Sequence, residues 1–112
     1  MIQLATYKNN RYKLENGEER HRKYPDTFYI PKLVLRGNLQ SNDIVKLIFK
    51  MQEKTDLNNI VVERMWVIIE KKIGNFYIGI LDNDPLADVY LQCGDKIYFK
   101  SRHIIDIYEI DK

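Results

Sequence analysis

ERMWVIIEKKIGNFYIGIL, residues 63–81, is two strands joined by a turn, and reading it decides the fold. Met65, Trp66, Val67, Ile68 and Ile69 place apolar groups at consecutive positions. Side chains alternate faces along a strand, so this one is apolar on both sides, as a central strand shared between two halves of a bent sheet would be. Gly74-Asn75 then supplies a two-residue hairpin turn, and FYIGIL runs back beside the first strand. Gly79, in the middle of that return, removes a side chain where a barrel strand bends or takes a bulge.

The same punctuation continues outward. DKIYFK at 95–100 alternates with Ile97 and Phe99 inward, Ser101-Arg102-His103 breaks the run, and IIDIYEI at 104–110 resumes it. Upstream, IVKLIFK at 44–50 puts Val45, Leu47 and Phe49 on one face. Ile44 and Ile48 fall on the face of Lys46 and Lys50, which predicts that this face is partly covered. In TFYIPKLVL, Pro31 forces Ile30 away from helix and confines any strand to an edge. KLVLR is expected to make one helical turn, with Pro31 at its first position and Gly37 ending it. LQSNDIV at 39–45 and LQCGDKI at 91–97 echo one another, each a turn closed by Asn or Gly, an Asp, and then an inward β-branched residue. The expected fold is mainly β, a small, partly open SH3-like barrel of five or six strands with one or two short helical turns; α+β is the alternative.

A chain of 112 residues, 45% hydrophobic and 30% charged, supports one ordinary globular domain. Eight Tyr and four Phe against one Trp suit half-buried strands with wet hydroxyls. The single Cys93 excludes an intrachain disulfide and multi-thiolate zinc frameworks. MIQLATYKNNRYK opens the sequence without a signal-peptide-like apolar run, and no stretch approaches ~18 apolar residues. A cytoplasmic protein with no membrane association and no cofactor is the resulting expectation. Residues 1–25 hold six basic and three acidic side chains, and residues 26–112 hold twelve and thirteen. The reading is a polar, weakly basic N-terminal arm or hairpin (1–25), with Asn16-Gly17 as a turn, ahead of a single β-rich domain (26–112).

FYIP at 28–31, NDIVKLIF at 42–49, ERMWVIIE at 63–70, GILDNDP at 79–85, GDKIYF at 94–99 and HIIDI at 103–107 occur in that order. Together they resemble the small bacterial YegJ-like domain-of-unknown-function family and related immunity-type proteins. Glu63-Arg64-Met65-Trp66-Val67 is the most specific part. The chain departs from the family pattern at Ser41-Asn42, where Gly would precede Asp43; Asn tolerates the left-handed backbone that Gly would supply. The resemblance implies a fold and a bacterial, cytoplasmic setting, with toxin-neutralising relatives as an analogy for function.

No catalytic constellation stands out. Asp82, Asn83, Asp84 and Asp88 gather oxygen ligands of the kind a hard cation takes. Ala87 and Cys93, however, stand where an EF-hand loop needs Gly and Glu, so the run reads as turn capping rather than metal. Cys93, His103 and Asp106 are the nearest approach to a nucleophile set; the simpler reading makes Cys93 a small apolar residue and His103 a surface turn residue. Arg64 and Trp66 share a strand face, so the guanidinium is placed to stack on the indole or bind an anion. The competing reading, which is preferred, buries Trp66 as the main core residue and pairs Arg64 with a local carboxylate at the rim.

These residues point to a non-enzymatic module that recognises another protein, as an immunity-type or regulatory factor. The long 82–94 connection is its expected recognition surface, through Asp82, Asp84, Leu86, Asp88 and Tyr90 with Arg64. Val89 is read there as a further exposable apolar group, or else Leu86, Val89 and Tyr90 form a helical plug in the barrel end. The alternative function is a nucleic-acid-binding barrel using Arg20, Arg22, Lys23 and Tyr24.

Overall fold

In the computed structural model, which describes residues 2–109, the strands are β1 (Tyr12–Leu14), β2 (Ile44–Gln52), β3 (Ile60–Ile73), β4 (Phe76–Leu81), β5 (Lys96–Phe99) and β6 (Ile104–Ile107). The helical pieces are α1 (Tyr7–Asn10), α2 (Gly17–Lys23), α3 (Leu33–Gly37) and a 3-10 turn at Ser101–His103. β2 to β5 form an antiparallel meander, and β6 returns to β2. β2 therefore has β3 along one edge, while β6 and β1 divide the other: β6 beside Val45–Leu47, β1 beside Phe49–Met51. The curled sheet is a small, mainly β, partly open barrel. Strand β6 stops at Ile107, short of the expected run, whose last residue, Ile110, lies outside the described residues.

The hairpin at 63–81 forms as its chemistry predicts. Gly74 takes φ +58 at the first position of the two-residue turn, a conformation that costs glycine nothing. Opposite Gly79 the pairing slips, Ile69 facing Gly79 and Lys71 facing Ile78, so Glu70 is bulged out. A β-carbon on Gly79 would lie 2.5 Å from Val67 Cγ1 and 2.7 Å from the Ile68 carbonyl oxygen. The bend needs glycine because the facing backbone comes that close.

Inside the curl lie Val45, Leu47, Phe49 and Met51 of β2, Met65, Val67 and Ile69 of β3, Tyr77 and Leu81 of β4, and Ile97 and Phe99 of β5. Tyr12 packs its ring on Phe49; burial first, then Asp95 and Tyr98, push its hydroxyl up to about 12. A second, smaller cluster sits on the opposite face, where Phe28 and Ile30 cover Ile48 and Ile105. This is the partial cover that Ile48 on a lysine-bearing face predicts.

Trp66 corrects an expectation. It points to the outer face and is only half-buried, outside both core clusters. β3 is apolar on both sides, and the register that buries Met65, Val67 and Ile69 necessarily turns Trp66 out.

The two echoing turns are built alike. The Asp43 carboxylate accepts the Gln40 N–H at 2.7 Å, as Asp95 accepts that of Gln92 at 2.9 Å. Asn42 and Gly94 take φ +77 and +96 and each donates its N–H to the neighbouring strand, to Ile69 and Leu81 respectively. Other turns differ from expectation. Asn16-Gly17 is not a hairpin turn: Asn16 caps α2, its side chain accepting the N–H groups of Glu18 and Glu19. Pro31 precedes Lys32, the cap of α3, rather than occupying its first turn.

Candidate partner-binding groove

Two walls enclose a groove of about 520 Å³ on the outer sheet face. One wall is the strap Thr27–Pro31 with Leu35 of α3; the other is Lys46 of β2, Arg64 of β3 and Ile105–Ile107 of β6, with Glu109 beyond. The strap is held from beneath by Phe28 on Ile48 and Ile105, and at its start by His21, whose Nδ1 lies 2.6 Å from the Phe28 carbonyl oxygen. Arg36 clamps its other end. Its guanidinium is buried and donates from Nε to the Pro31 carbonyl at 2.7 Å, and from Nη1 to Glu18 at 2.8 Å and the Ser101 carbonyl at 2.9 Å. One side chain thus joins α3, α2 and the 3-10 turn.

Two cations in this groove lie on aromatic rings. Lys46 Nζ is 4.4 Å from the centre of the Trp66 ring, and the Arg64 guanidinium is 5.4 Å from that of Phe28. Tyr108 meets Trp66 edge-on at 5.8 Å. Among the described residues no carboxylate approaches either cation within ion-pair distance, although Asp106 and Glu109 also line the groove. Arg64 and Trp66 share a face as expected, but the guanidinium rests on Phe28 and the indole carries Lys46 instead; among the described residues the rim pairing expected of Arg64 does not form. In the groove lining Tyr29 and Leu35 are 73% and 54% exposed, and Leu33 and Val34, next to Leu35 in α3, are 60% and 65% exposed. Three consecutive apolar residues in one helical turn span about 200° and cannot all face inward.

The 82–94 connection is pinned rather than loose. Glu63 accepts the N–H groups of Leu86 and Ala87, Asn83 Oδ1 accepts that of Trp66, and the Lys54 N–H donates to the Asp88 carbonyl at 2.9 Å. Val89 and Leu91 are buried in the main core cluster and no helix forms here, which corrects the reading of Val89 as exposed and of Leu86, Val89 and Tyr90 as a helical plug. Asp82, Asp84 and Asp88 are exposed, Leu86 is 95% exposed, and Tyr90 stands outside with Lys54 5.5 Å over its ring. Five of the six expected recognition residues therefore sit on this rim, while Arg64 belongs to the groove.

Other candidates are dispersed. No group of three or more His, Cys, Asp or Glu among the described residues is placed to hold a metal. Cys93 is exposed, and Asp106 accepts the N–H of its neighbour Ile107. His103 is buried, not a surface turn residue: Nδ1 accepts the Lys100 N–H at 2.9 Å. Burial, then Arg102 and Lys100, lower its pKa to about 4, so the ring is neutral near pH 7. Of the nucleic-acid set, Arg20 is tied to Glu15 at 3.2 Å and lies over Phe28, whereas Arg22, Lys23 and Tyr24 are exposed. Arg20, Lys23 and Tyr24 share a hollow with Lys50, Glu15 and Glu19, where Glu15 already pairs with both Arg20 and Lys50.

No helix among the described residues is long and apolar enough to cross a membrane. No family model, curated protein or solved structure matches the chain.

Proposed function

We propose that this chain is a non-enzymatic module that recognises another protein through the strap and its groove, as a bacterial immunity-type or regulatory factor. The observation that carries this reading is the set of exposed apolar side chains along the strap and α3, Tyr29 and Leu35 in the groove lining with Leu33 and Val34 next to Leu35 in the chain, beside two ring-held cations. Exposed apolar side chains next to aromatic and arginine anchors are what a partner's apolar residues and a carboxylate would engage. Arg64 and Lys46 already rest on rings, so less side-chain freedom is lost on binding. Asp106 and Glu109 in the same groove offset those cations and disfavour a polyanion, which supports a protein partner over nucleic acid. The likeness of Glu63-Arg64-Met65-Trp66-Val67 and its flanking motifs to the YegJ-like family supports the immunity-type setting by analogy.

Quantitative affinity capture from the source organism, comparing the native chain with a Leu33→Asp/Leu35→Asp variant, tests this. Both substitutions are at exposed positions, so the variant should melt as the native chain does. A protein retained by the native chain and lost by the variant is the expected result. Equal capture by both would place recognition elsewhere, with the 82–94 rim next to be tested. A salt-sensitive oligonucleotide complex lost on replacing Arg22 and Lys23 would favour the nucleic-acid alternative.

A further inference from the structure

Away from that groove, three cations from separate parts of the chain surround one small depression. Lys72 at the end of β3, Lys100 after β5 and Arg102 in the 3-10 turn line about 260 Å³ together with Asn75, Ser101 and Glu18. Glu18 is the only acid in that lining, and its carboxylate is already held by buried Arg36 at 2.8 Å. Among the described residues none of the three cations is within ion-pair distance of a carboxylate.

Two of them are fixed in place. Lys72 Nζ donates to the Gly37 carbonyl at 2.6 Å, which leaves two ammonium protons, and Lys100 Nζ lies 4.8 Å over the Phe76 ring. After burial, Arg102 and Lys100 lower the pKa of the adjoining His103, against the opposing pull of Glu18. Three like charges gathered on different elements, with one lining carboxylate that is already engaged by Arg36, repel one another, so the cluster is itself a cost that a bound anion reduces. A guanidinium matches the oxygens of a phosphoryl group in a planar fork, and ammonium groups add point charges beside it. The depression is smaller than pockets for drug-sized ligands, ~300–1,000 Å³, and suits a phosphoryl group with a short organic tail.

We infer that the depression between the β3–β4 turn and the 3-10 turn, lined by Lys72, Lys100 and Arg102, is a binding site for a phosphoryl group. It shares no lining residue with the recognition groove and stands independently of it.

Titration of the ¹⁵N-labelled chain with inorganic phosphate, with a nucleoside monophosphate, and with chloride at matched ionic strength tests the site. Phosphate or the monophosphate, but not chloride, should give saturable shifts centred on Asn75 and residues 100–102. Each of Lys100→Gln and Arg102→Gln should weaken binding by about tenfold or more, the scale of one charge-assisted hydrogen bond. Lys54→Gln, a cation outside that lining, should leave it unchanged. Tighter binding of the monophosphate would identify an organic phosphate as the ligand; equal binding would show that the phosphoryl group alone is read. Shifts that chloride reproduces, or that survive Arg102→Gln in a variant with a native spectrum, would overturn the assignment.

Discussion

Gly79 and His103 show how single residues set the geometry. At Gly79 the obstacle to a side chain is partly the Ile68 carbonyl, which belongs to paired backbone and cannot rotate away. Gly79→Ala should therefore cost about 1–3 kcal/mol, read from denaturant midpoints; a change within ~0.5 kcal/mol, the range of an ordinary surface substitution, would mean that the bulge relaxes freely. His103 is neutral in the fold and protonates only near pH 4, whereas in the unfolded chain it does so near 6.5. The unfolded state thus holds the extra proton between those values. Stability from this group is complete above pH 6.5 and falls away as pH drops toward 4. The loss amounts to roughly 3 kcal/mol from the difference in pKa. His103→Asn keeps an acceptor for the Lys100 N–H, and its melts from pH 7 to 4 should lack that part of the decline. Parallel pH profiles for the two chains would show that His103 already protonates inside the fold.

At the scale of elements, the chain is held together by how one buried cation links three short pieces. α3 has no side-chain cap and exposes its apolar residues, so neither its own hydrogen bonds nor its burial hold it in place. Arg36 supplies that hold through Pro31, Glu18 and Ser101, and its own carbonyl accepts the buried Tyr77 hydroxyl at 2.7 Å. Arg36→Met keeps much of the volume but strands the Glu18 carboxylate and two carbonyl groups. Glu18 is partly solvated, so the expected loss is about 2–4 kcal/mol rather than that of a fully buried pair. Limited proteolysis should then cut first between residues 27 and 40. A variant as resistant as the native chain would show that Phe28 packing alone keeps the strap down.

Across the whole molecule, the N-terminal residues are part of the body. The radius of gyration of 13.8 Å is close to the ~13 Å of a globule of this length, with residues 2–25 included. Tyr12 enters the core, the Glu15 N–H donates to the Ile48 carbonyl and the Gln52 N–H to that of Arg11, and Gly17 packs so tightly on Ile105 that a β-carbon would lie 2.8 Å from Cγ2. A 26–112 fragment would expose Phe49 and Met51 along an unpaired stretch of β2 and leave Arg36 without Glu18. It should melt without a cooperative transition, or aggregate. A sharp thermal transition from that fragment would make residues 2–25 dispensable to the fold.

What the amino-acid sequence determined by itself was the mainly β class, the strands around residues 44–50, 63–72, 76–81 and 95–100, and the turns at Gly74 and before Asp43 and Asp95. Those features depend on alternation and on local backbone preference, which a few neighbouring residues specify. It also marked Ile48 as covered and Gly79 as a bend, since each interrupts a local pattern. Tertiary structure alone decided which face of β3 is inside, and so placed Trp66 out and Met65 in; a strand apolar on both sides does not state its own register. The same holds for the burial of His103 and Arg36 and for Val89 turning in while Leu86 turns out. The groove follows this rule too. Phe28, Lys46 and Arg64 are far apart in the chain, and only the strap folding over β2, β3 and β6 brings them together. The dense apolar run of Tyr29 to Leu35 was the one signal of that surface in the sequence, because so short a segment could not bury every side chain it carries.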